Sequence, residues 1–513
     1  MTRSFPAHAG KRPNPLTAKF WEYRNVLNDS GLSTIEFAEQ LSYLVFLKTA
    51  YEITKRSFPD TKTRAIVPVE YDWGSLLEKS GEDLNIHYRA ALAELAKSGP
   101  DTTVGSVFTG AQNRIADSGL LRKLMVDLNG ALDWNNRTID LVADAFEDLL
   151  ARAAEDVKSG AGQYFTPRSL IKAIVDAIQP QPTDTITDPA CGTGGYLIAA
   201  HDYILEHHAQ GLPSREVCEL SSGRIWGHEL VPATARLAMM NMLLHGLGSA
   251  AGPSLITTED ALQTQPNRHA SLVLTHPPFG MKSTITTADR NGTVDKEWGP
   301  YKRNDFPVIT YNKQINFLQH IMSLLDINGR AAVIVPDNIL FEGGKCTTLR
   351  RRLLQDFDLH TILRLPAGVF YAAGVKANVL FFDKKPRVDN RPHTSKLWVY
   401  DLRTDKQFSR MRDSLQPDDL AEFVEAYLPG KSPKDRVETQ RFRCFDYSEL
   451  TARDLNLDLA WAEDPTLDDP FKSLPPGLIA EEIVYNLQVA LDEFSSVAKE
   501  LSDEIPPHTD LTQ

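Results

Sequence analysis

The segment Asp188-Pro-Ala-Cys-Gly-Thr-Gly-Gly-Tyr-Leu-Ile198 decides the fold of this chain. Ahead of it Thr185 to Asp188 reads as a short strand, and the apolar residues behind the glycines open a helix. Glycines at 192, 194 and 195 let the backbone approach a ligand closely at the helix N-terminus, where unpaired N–H groups point outward. The segment is not a dinucleotide fingerprint, which needs Gly where Leu197 stands, and not a P-loop, which needs Lys followed by Ser or Thr. Gly344-Lys345-Cys346 is a near miss for the latter, without the hydroxyl and without a glycine five residues before Gly344. Alone, such a turn is as compatible with a structural role as with binding, so its neighbours along the chain must separate the two.

Outward from the turn, short β-rich stretches alternate with helical ones to about Asp383. The strand candidates are Thr185 to Asp188, Arg224 to Gly227, Ser271 to Leu274, Ala331 to Val335, His360 to Arg364 and Val379 to Phe382. Helices are expected over Ala233 to Leu244 and Gln314 to Leu325, the second closed by an Asn328-Gly329 turn. Alternation of this kind predicts a mostly parallel, doubly wound Rossmann-like α/β sheet covered by helices. Trp226-Gly-His-Glu229 puts a carboxylate at the end of the second strand, where such folds use an acid to accept hydrogen bonds from a ribose. Asp260 follows where a third strand would end and is a candidate for the adenine amino group of the same ligand.

On the N-terminal side, Ile35, Phe37, Ala38, Leu41, Leu44, Val45 and Leu47 recur at spacings of three and four, as do Leu141, Ala145, Phe146, Leu149 and Leu150. These predict a helical domain over 1–157, divided by the polar Lys158 to Gly162 from an α/β domain over 158–390. Within that domain, Lys282 to Phe306 lacks periodicity and reads as a mobile loop beside a site. A Pro- and charge-rich connector after Lys384 leads into a small α/β extension over 391–474. Pro475-Pro-Gly477 then precedes a C-terminal helix and tail, 475–513, with Ile483, Leu487, Leu491, Phe494, Val497, Ala498 and Leu501 on one face; such a face can complete a domain core, but its place after the hinge favours a partner-binding helix.

With 55 Lys and Arg against 68 Asp and Glu, the net charge of −13 excludes a histone-like protein that holds nucleic acid by bulk charge. A hydrophobic share of 42% excludes a disordered chain. Cys191, Cys218, Cys346 and Cys444 form no CxxC pair and read as free thiols in a reducing compartment. Without a signal-peptide core or a membrane-length apolar run, the expected location is cytoplasmic.

The segment Leu272-Val-Leu-Thr-His-Pro-Pro-Phe-Gly280 is an apolar strand ending in a rigid turn and an aromatic residue. With it the sequence resembles the amino-group DNA methyltransferases, whose motif here is Asn, Asp or Ser followed by Pro-Pro and Tyr or Phe. More narrowly, it looks like the modification subunit of type I restriction-modification systems. Gly162-Gln-Tyr-Phe-Thr-Pro-Arg168, the Asn312-Lys-Gln-Ile-Asn-Phe-Leu-Gln helix, Gly329-Arg-Ala-Ala-Val-Ile-Val-Pro-Asp-Asn338 and Tyr400-Asp-Leu-Arg403 carry that resemblance over most of the chain.

The resemblance implies an N6-adenine methyltransferase that uses S-adenosylmethionine. It assigns Gln163, Tyr164, Phe165, Thr166, Pro167, Arg168, Asp188, Gly192, Thr193, Gly194, Gly195 and Glu229 to the cofactor, with Asp260 added from the strand-end argument. The residues alone say of Thr166-Pro167 only that it caps a helix beginning near Arg168. His276, Pro277, Pro278 and Phe279 form the catalytic turn: Phe279 stacks on a flipped adenine, and the Pro277 carbonyl and the side chain at 276 accept the N6 hydrogens. Implied partners are a specificity subunit that reads the sequence, a second copy of the chain in a two-to-one complex, optional restriction subunits and double-stranded DNA.

At position 276 the chain departs from its family, with His in place of Asn. A neutral ring accepts one hydrogen bond, with Nδ1 standing about where the Asn oxygen would. A protonated ring accepts none and repels a sulfonium, so activity is expected to fall below a pH near 6.5. Two outcomes follow: a slowed but working enzyme, or a silent cofactor- and DNA-binding scaffold of a defence complex. A protein glutamine methyltransferase shares the Pro-Pro turn, but the helical N-terminal domain and long C-terminal extension disfavour it. Finally, Lys345, Arg350, Arg351, Arg352, Arg364, Lys376, Lys384, Lys385 and Arg387 concentrate positive charge and are candidates either for DNA-phosphate contact or for a solvated helix face.

Overall fold

The computed structural model describes residues 22–23, 32, 34–57, 67–99, 101–130, 145–146, 166–208, 213, 219–279, 285–288, 294–297, 301–366, 369–370, 376–387, 391–403, 415–459 and 461. Its elements begin with α1 (Thr34–Ser57), α2 (Trp73–Leu77), α3 (Gly81–Ala96), α4 (Thr103–Phe108), α5 (Ser118–Gly130) and α6 (Arg168–Ile178). Next come β1 (Ile186–Asp188), α7 (Gly195–His208), β2 (Ile225–Glu229), α8 (Pro232–Leu244), β3 (Ile256–Thr258) and β4 (Ala270–Thr275). After β5 (Ile285–Ala288) and β6 (Val294–Glu297) follow α9 (Lys313–Leu324), β7 (Leu325–Pro336), α10 (Asn338–Phe341), α11 (Lys345–Asp356) and β8 (Phe357–Arg364). The last are β9 (Ala377–Lys384), β10 (Lys396–Asp401), α12 (Pro417–Tyr427), β11 (Phe442–Asp446) and α13 (Tyr447–Ala452). The chain divides into two compact units, one of Met1–Ala161 with Pro180–Ala261, the other of Gly162–Gln179 with Leu262–Gln513.

In the first unit the helices bury the face that the periodicity marks: Phe37, Ala38, Leu41, Leu44, Val45 and Leu47 of α1 are all inaccessible. Strands β1, β2 and β3 are parallel, in register Asp188↔Gly227 and Gly227↔Ile256. Helix α7 packs on β1 and β2, and α8 on β2 and β3 as well as on α1 and α4. A half-buried ion pair fastens α1 to α8: Glu39 Oε1 accepts from Arg236 Nε at 2.9 Å and Nη2 at 2.6 Å, and from the Tyr43 hydroxyl at 2.9 Å. The Tyr43 hydroxyl, buried beside this carboxylate, is held in its protonated form.

The second unit has the strand order β4-β7-β9-β8-β10-β11. Pairs β4–β7 and β8–β10 are parallel, whereas β9 runs antiparallel to both β7 and β8, and β11 antiparallel to β10. The sheet is therefore mixed rather than mostly parallel, because β9 turns back between two strands of the other direction. Each expected strand is present; β1 is one residue shorter than its expected span, and the other five are longer than theirs. The Asn328-Gly329 turn falls inside β7, whose register against β4 jumps from Ala270↔Leu325 to Leu272↔Arg330 around Asn328 at φ 67°. Segment 391–474 gives β10 and β11 to this same sheet, so it is continuous with β8.

Within Lys282 to Phe306, expected to be a loop, β5 and β6 pair as an antiparallel hairpin, and Tyr301, Arg303 and Phe306 are buried. The Arg303 guanidinium bonds Asp305 through Nε at 3.0 Å and lies 4.1 Å from the Phe306 ring centre. Buried amides of α9 hold the next stretch down. Gln319 exchanges two bonds with the Val308 backbone at 2.8 and 3.0 Å, and Asn316 Nδ2 donates to the Thr310 carbonyl at 2.9 Å. Among the described residues no helix is long and apolar enough to cross a membrane. The C-terminal helix expected within 475–513, and Leu141, Leu149 and Leu150, lie outside the described residues.

Candidate active site

The glycine turn of the first unit is built almost entirely from backbone. Buried Asp188 ends β1 and accepts the Ala190 N–H at 3.0 Å, while the Cys191 N–H bonds the His228 carbonyl at 2.9 Å. Gly192 and Gly194 take φ of 55° and 85°, in the left-handed region that favours glycine. A side chain on Gly192 would meet nothing within 4 Å, so the backbone there borders open space. Gly227 has no such room: a Cβ would lie 2.9 Å from both Cys191 Cβ and Leu197 Cδ1. Asn241 of α8, unmarked by any sequence signal, donates to the Thr193 carbonyl at 3.0 Å.

Glu229 stands at the end of β2 as expected and is 8% exposed. Its Oε2 accepts the Gly192 N–H at 3.0 Å and its Oε1 the Val231 N–H at 2.9 Å. Burial pushes its pKa up, and these backbone donors pull against that rise. The carboxylate thus fixes the turn, and with three backbone donors on its two oxygens it keeps one lone-pair site for a ligand hydroxyl. Leu230 beside it is 58% exposed, an apolar surface that sequence reasoning did not single out. Asp260 is half-buried two residues past β3, next to Glu259, whose N–H bonds the Glu229 carbonyl at 3.1 Å.

The second unit holds the His-Pro-Pro-Phe turn, directly after β4. His276 and Phe279 are buried, with ring centres 5.0 Å apart. Phe370, which no local motif announces, closes the group at 4.8 Å from His276 and 6.4 Å from Phe279, edge-on to the latter. His276 Nδ1 is 2.8 Å from Thr166 Oγ1. This overturns the expectation that Nδ1 is the acceptor presented to a base, since Thr166 occupies it. Burial lowers the imidazole to about 3, so the ring is neutral at every working pH and an acid limb near 6.5 is no longer expected. Helix α6 does begin at Arg168, but Pro167 is its cap residue and no side chain caps it. Gln163, Tyr164 and Phe165 lie outside the described residues.

The basic residues do not form one DNA-facing surface. Arg350 is 3% exposed and donates to the carbonyls of Leu455, Ile339 and Glu342, and Arg364, 1% exposed, bonds the Leu459 carbonyl and Asp458. Lys384 donates to the Leu325 carbonyl, Lys385 pairs with Asp383, and Arg352 pairs with Asp356. Exposed positions remain at Lys345, Arg351, Arg352 and Arg387.

A Rossmann-like fold with a glycine turn answered by a strand-end acid, and a second turn of Pro-Pro-Phe, defines a class of methyltransferases. Residues 137–463 match the family model of the N-6 DNA methylases. The chain is 35% identical to the EcoKI methylase subunit of Escherichia coli K12 over 96% of both chains. It is 36% identical to the StySJI methylase subunit of Salmonella typhimurium LT2 over 95% of both. Among solved structures, the EcoKI M protein shares 31% identity with a TM-score of 0.51, covering 97% of this chain and 98% of that one. A Vibrio vulnificus modification subunit of a type I enzyme shares the fold with a TM-score of 0.66 at 23% identity, covering 87% of this chain and 93% of its own. This chain belongs to the N-6 DNA methylase family, as a methylase subunit of the type I restriction-modification kind.

Proposed function

We propose that the chain transfers a methyl group from S-adenosylmethionine to adenine N6 in DNA, at a sequence chosen by a separate specificity subunit. In this reading two copies assemble with one specificity subunit, with restriction subunits as optional further members. The observation that carries it is the buried His276, Phe279 and Phe370 group at the end of β4, a dry aromatic setting with a ring nitrogen.

The cofactor assignment is supported by the open space over the Gly192 backbone and by the remaining lone-pair site of Glu229. Asp188, Gly192, Thr193, Gly194, Gly195 and Glu229 hold its nucleoside, and Asp260 receives the adenine amino group. The resemblance also implies Gln163, Tyr164, Phe165, Pro167 and Arg168 for the cofactor, whereas the Thr166 hydroxyl is bonded to His276. When bound, the cofactor supplies a methyl group on a sulfonium, an electrophile.

Adenine N6 is a weak nucleophile because its lone pair is delocalised into the ring. The protein must therefore extract the base from the duplex, accept its amino hydrogens and hold it still. The Pro277 carbonyl accepts one hydrogen and His276 the other, while Phe279 and Phe370 supply aromatic faces. Neutrality of His276 is what allows it to accept.

Labelled methyl transfer to cognate DNA, by this chain assembled with the specificity subunit encoded beside it, tests the reading. N6-methyladenine in the product is the expected outcome. Cofactor and DNA binding without transfer would replace this reading with the silent scaffold.

A further inference from the structure

Thr166 and His276 meet from segments far apart in the chain but within one compact unit, and both side chains are buried. Their polar atoms, Oγ1 and Nδ1, are 2.8 Å apart. The cap residue of α6 is Pro167 rather than Thr166, and no side-chain hydrogen bond closes the start of that helix. The family resemblance assigns Thr166 to the cofactor; its hydrogen bond is to His276 instead.

A neutral imidazole has one N–H and one lone pair, so the site of the proton fixes which nitrogen can accept. A hydroxyl can bond Nδ1 in either sense. If Thr166 donated to Nδ1, the proton would sit on Nε2, and the ring would meet an amino group donor to donor. If Nδ1–H donates to Thr166 Oγ1, Nε2 carries the lone pair, which reproduces the acceptor that Asn supplies at this motif position. We infer that Thr166 is a positioning residue: its hydroxyl accepts the Nδ1–H of His276 and so holds the ring in the tautomer whose Nε2 accepts an amino hydrogen of the target base. The inference rests on the reading of His276 as base acceptor.

The test uses two independent readouts. The first is the tautomer of His276 in the full chain labelled with 15N-histidine at pH 7.5, its resonance identified by loss in His276→Gln. The second is kcat for methyl transfer, with cofactor affinity, in the complex with the specificity subunit. The wild type should show the Nδ1–H form. Thr166→Val, nearly the same shape, should shift the ring toward Nε2–H and lower kcat by about tenfold, the worth of one hydrogen bond, with cofactor affinity unchanged. Thr166→Ser should restore both.

An Nε2–H ring in the wild type overturns the inference, as does unchanged kcat in Thr166→Val or a failure of Thr166→Ser to restore it. Weakened cofactor binding with kcat intact returns Thr166 to the cofactor set. If the wild type transfers no methyl group, the proposed function fails. The tautomer, recorded without turnover, then decides the Thr166 assignment alone.

Discussion

The glycine turn of the first unit and the His-Pro-Pro-Phe turn of the second follow strands of the same kind, yet they are held by different means. Around Gly192 the contacts are backbone groups meeting one carboxylate, Glu229, with left-handed glycines on the bends. Around His276 they are side chains: two phenylalanine rings and one hydroxyl. A site made from backbone depends on a few residues close in sequence and tolerates change elsewhere. A site made from side chains depends on residues scattered along the chain, and a partner such as Thr166 can adapt it to a new residue at 276.

The sharpest way to break this contrast is at Gly227, where the backbone-built half has no slack. Gly227→Val should destabilise the first unit by about 3 kcal/mol, since Cys191 and Leu197 must move. Thermal unfolding that matches the wild type would show that the turn adapts as readily as the pocket.

A smaller effect separates the halves by pH. The folded His276 imidazole sits at about 3 against an ordinary 6.5, so below pH 6.5 the unfolded chain takes up a proton that the folded chain refuses. The stabilising contribution is complete above 6.5 and is lost as pH falls toward 3, amounting to about 2 kcal/mol at pH 5. Denaturant unfolding of wild type and His276→Asn at pH 7 and pH 5 should show this extra loss in the wild type alone. Equal losses would mean that the ring is wetter than its burial indicates.

Smaller again is Glu229→Ala, expected to weaken S-adenosylmethionine binding by about 1.5 kcal/mol through loss of a charge-assisted hydrogen bond. Calorimetry with unchanged affinity would leave Glu229 only its hold on the turn.

The same contrast explains what the sequence could tell. The glycine turn and Glu229 were legible because positive-φ positions select glycine and because strand ends fix an acid nearby in sequence. Phe370 was not, since nothing in its own segment marks its approach to His276. Strand direction was not legible either, because an apolar run such as Val379 to Phe382 reads the same whether its neighbours are parallel or antiparallel. Arg350 misled by its charge, although Cys346, Leu349, Leu353 and Leu354 recur around it at helical spacing, which put it on the buried face of α11. Its guanidinium caps backbone carbonyls there.

The most direct measurement is the rate of labelled methyl transfer to cognate DNA between pH 5.5 and 8, by the complex containing His276 and by its His276→Asn counterpart. N6-methyladenine should form in both, with no fall near pH 6.5 in the His276 profile, because a buried neutral ring has no proton to gain in that range. An imidazole limb centred near 6.5, or transfer by His276→Asn alone, would contradict a dry, neutral acceptor at the heart of the site.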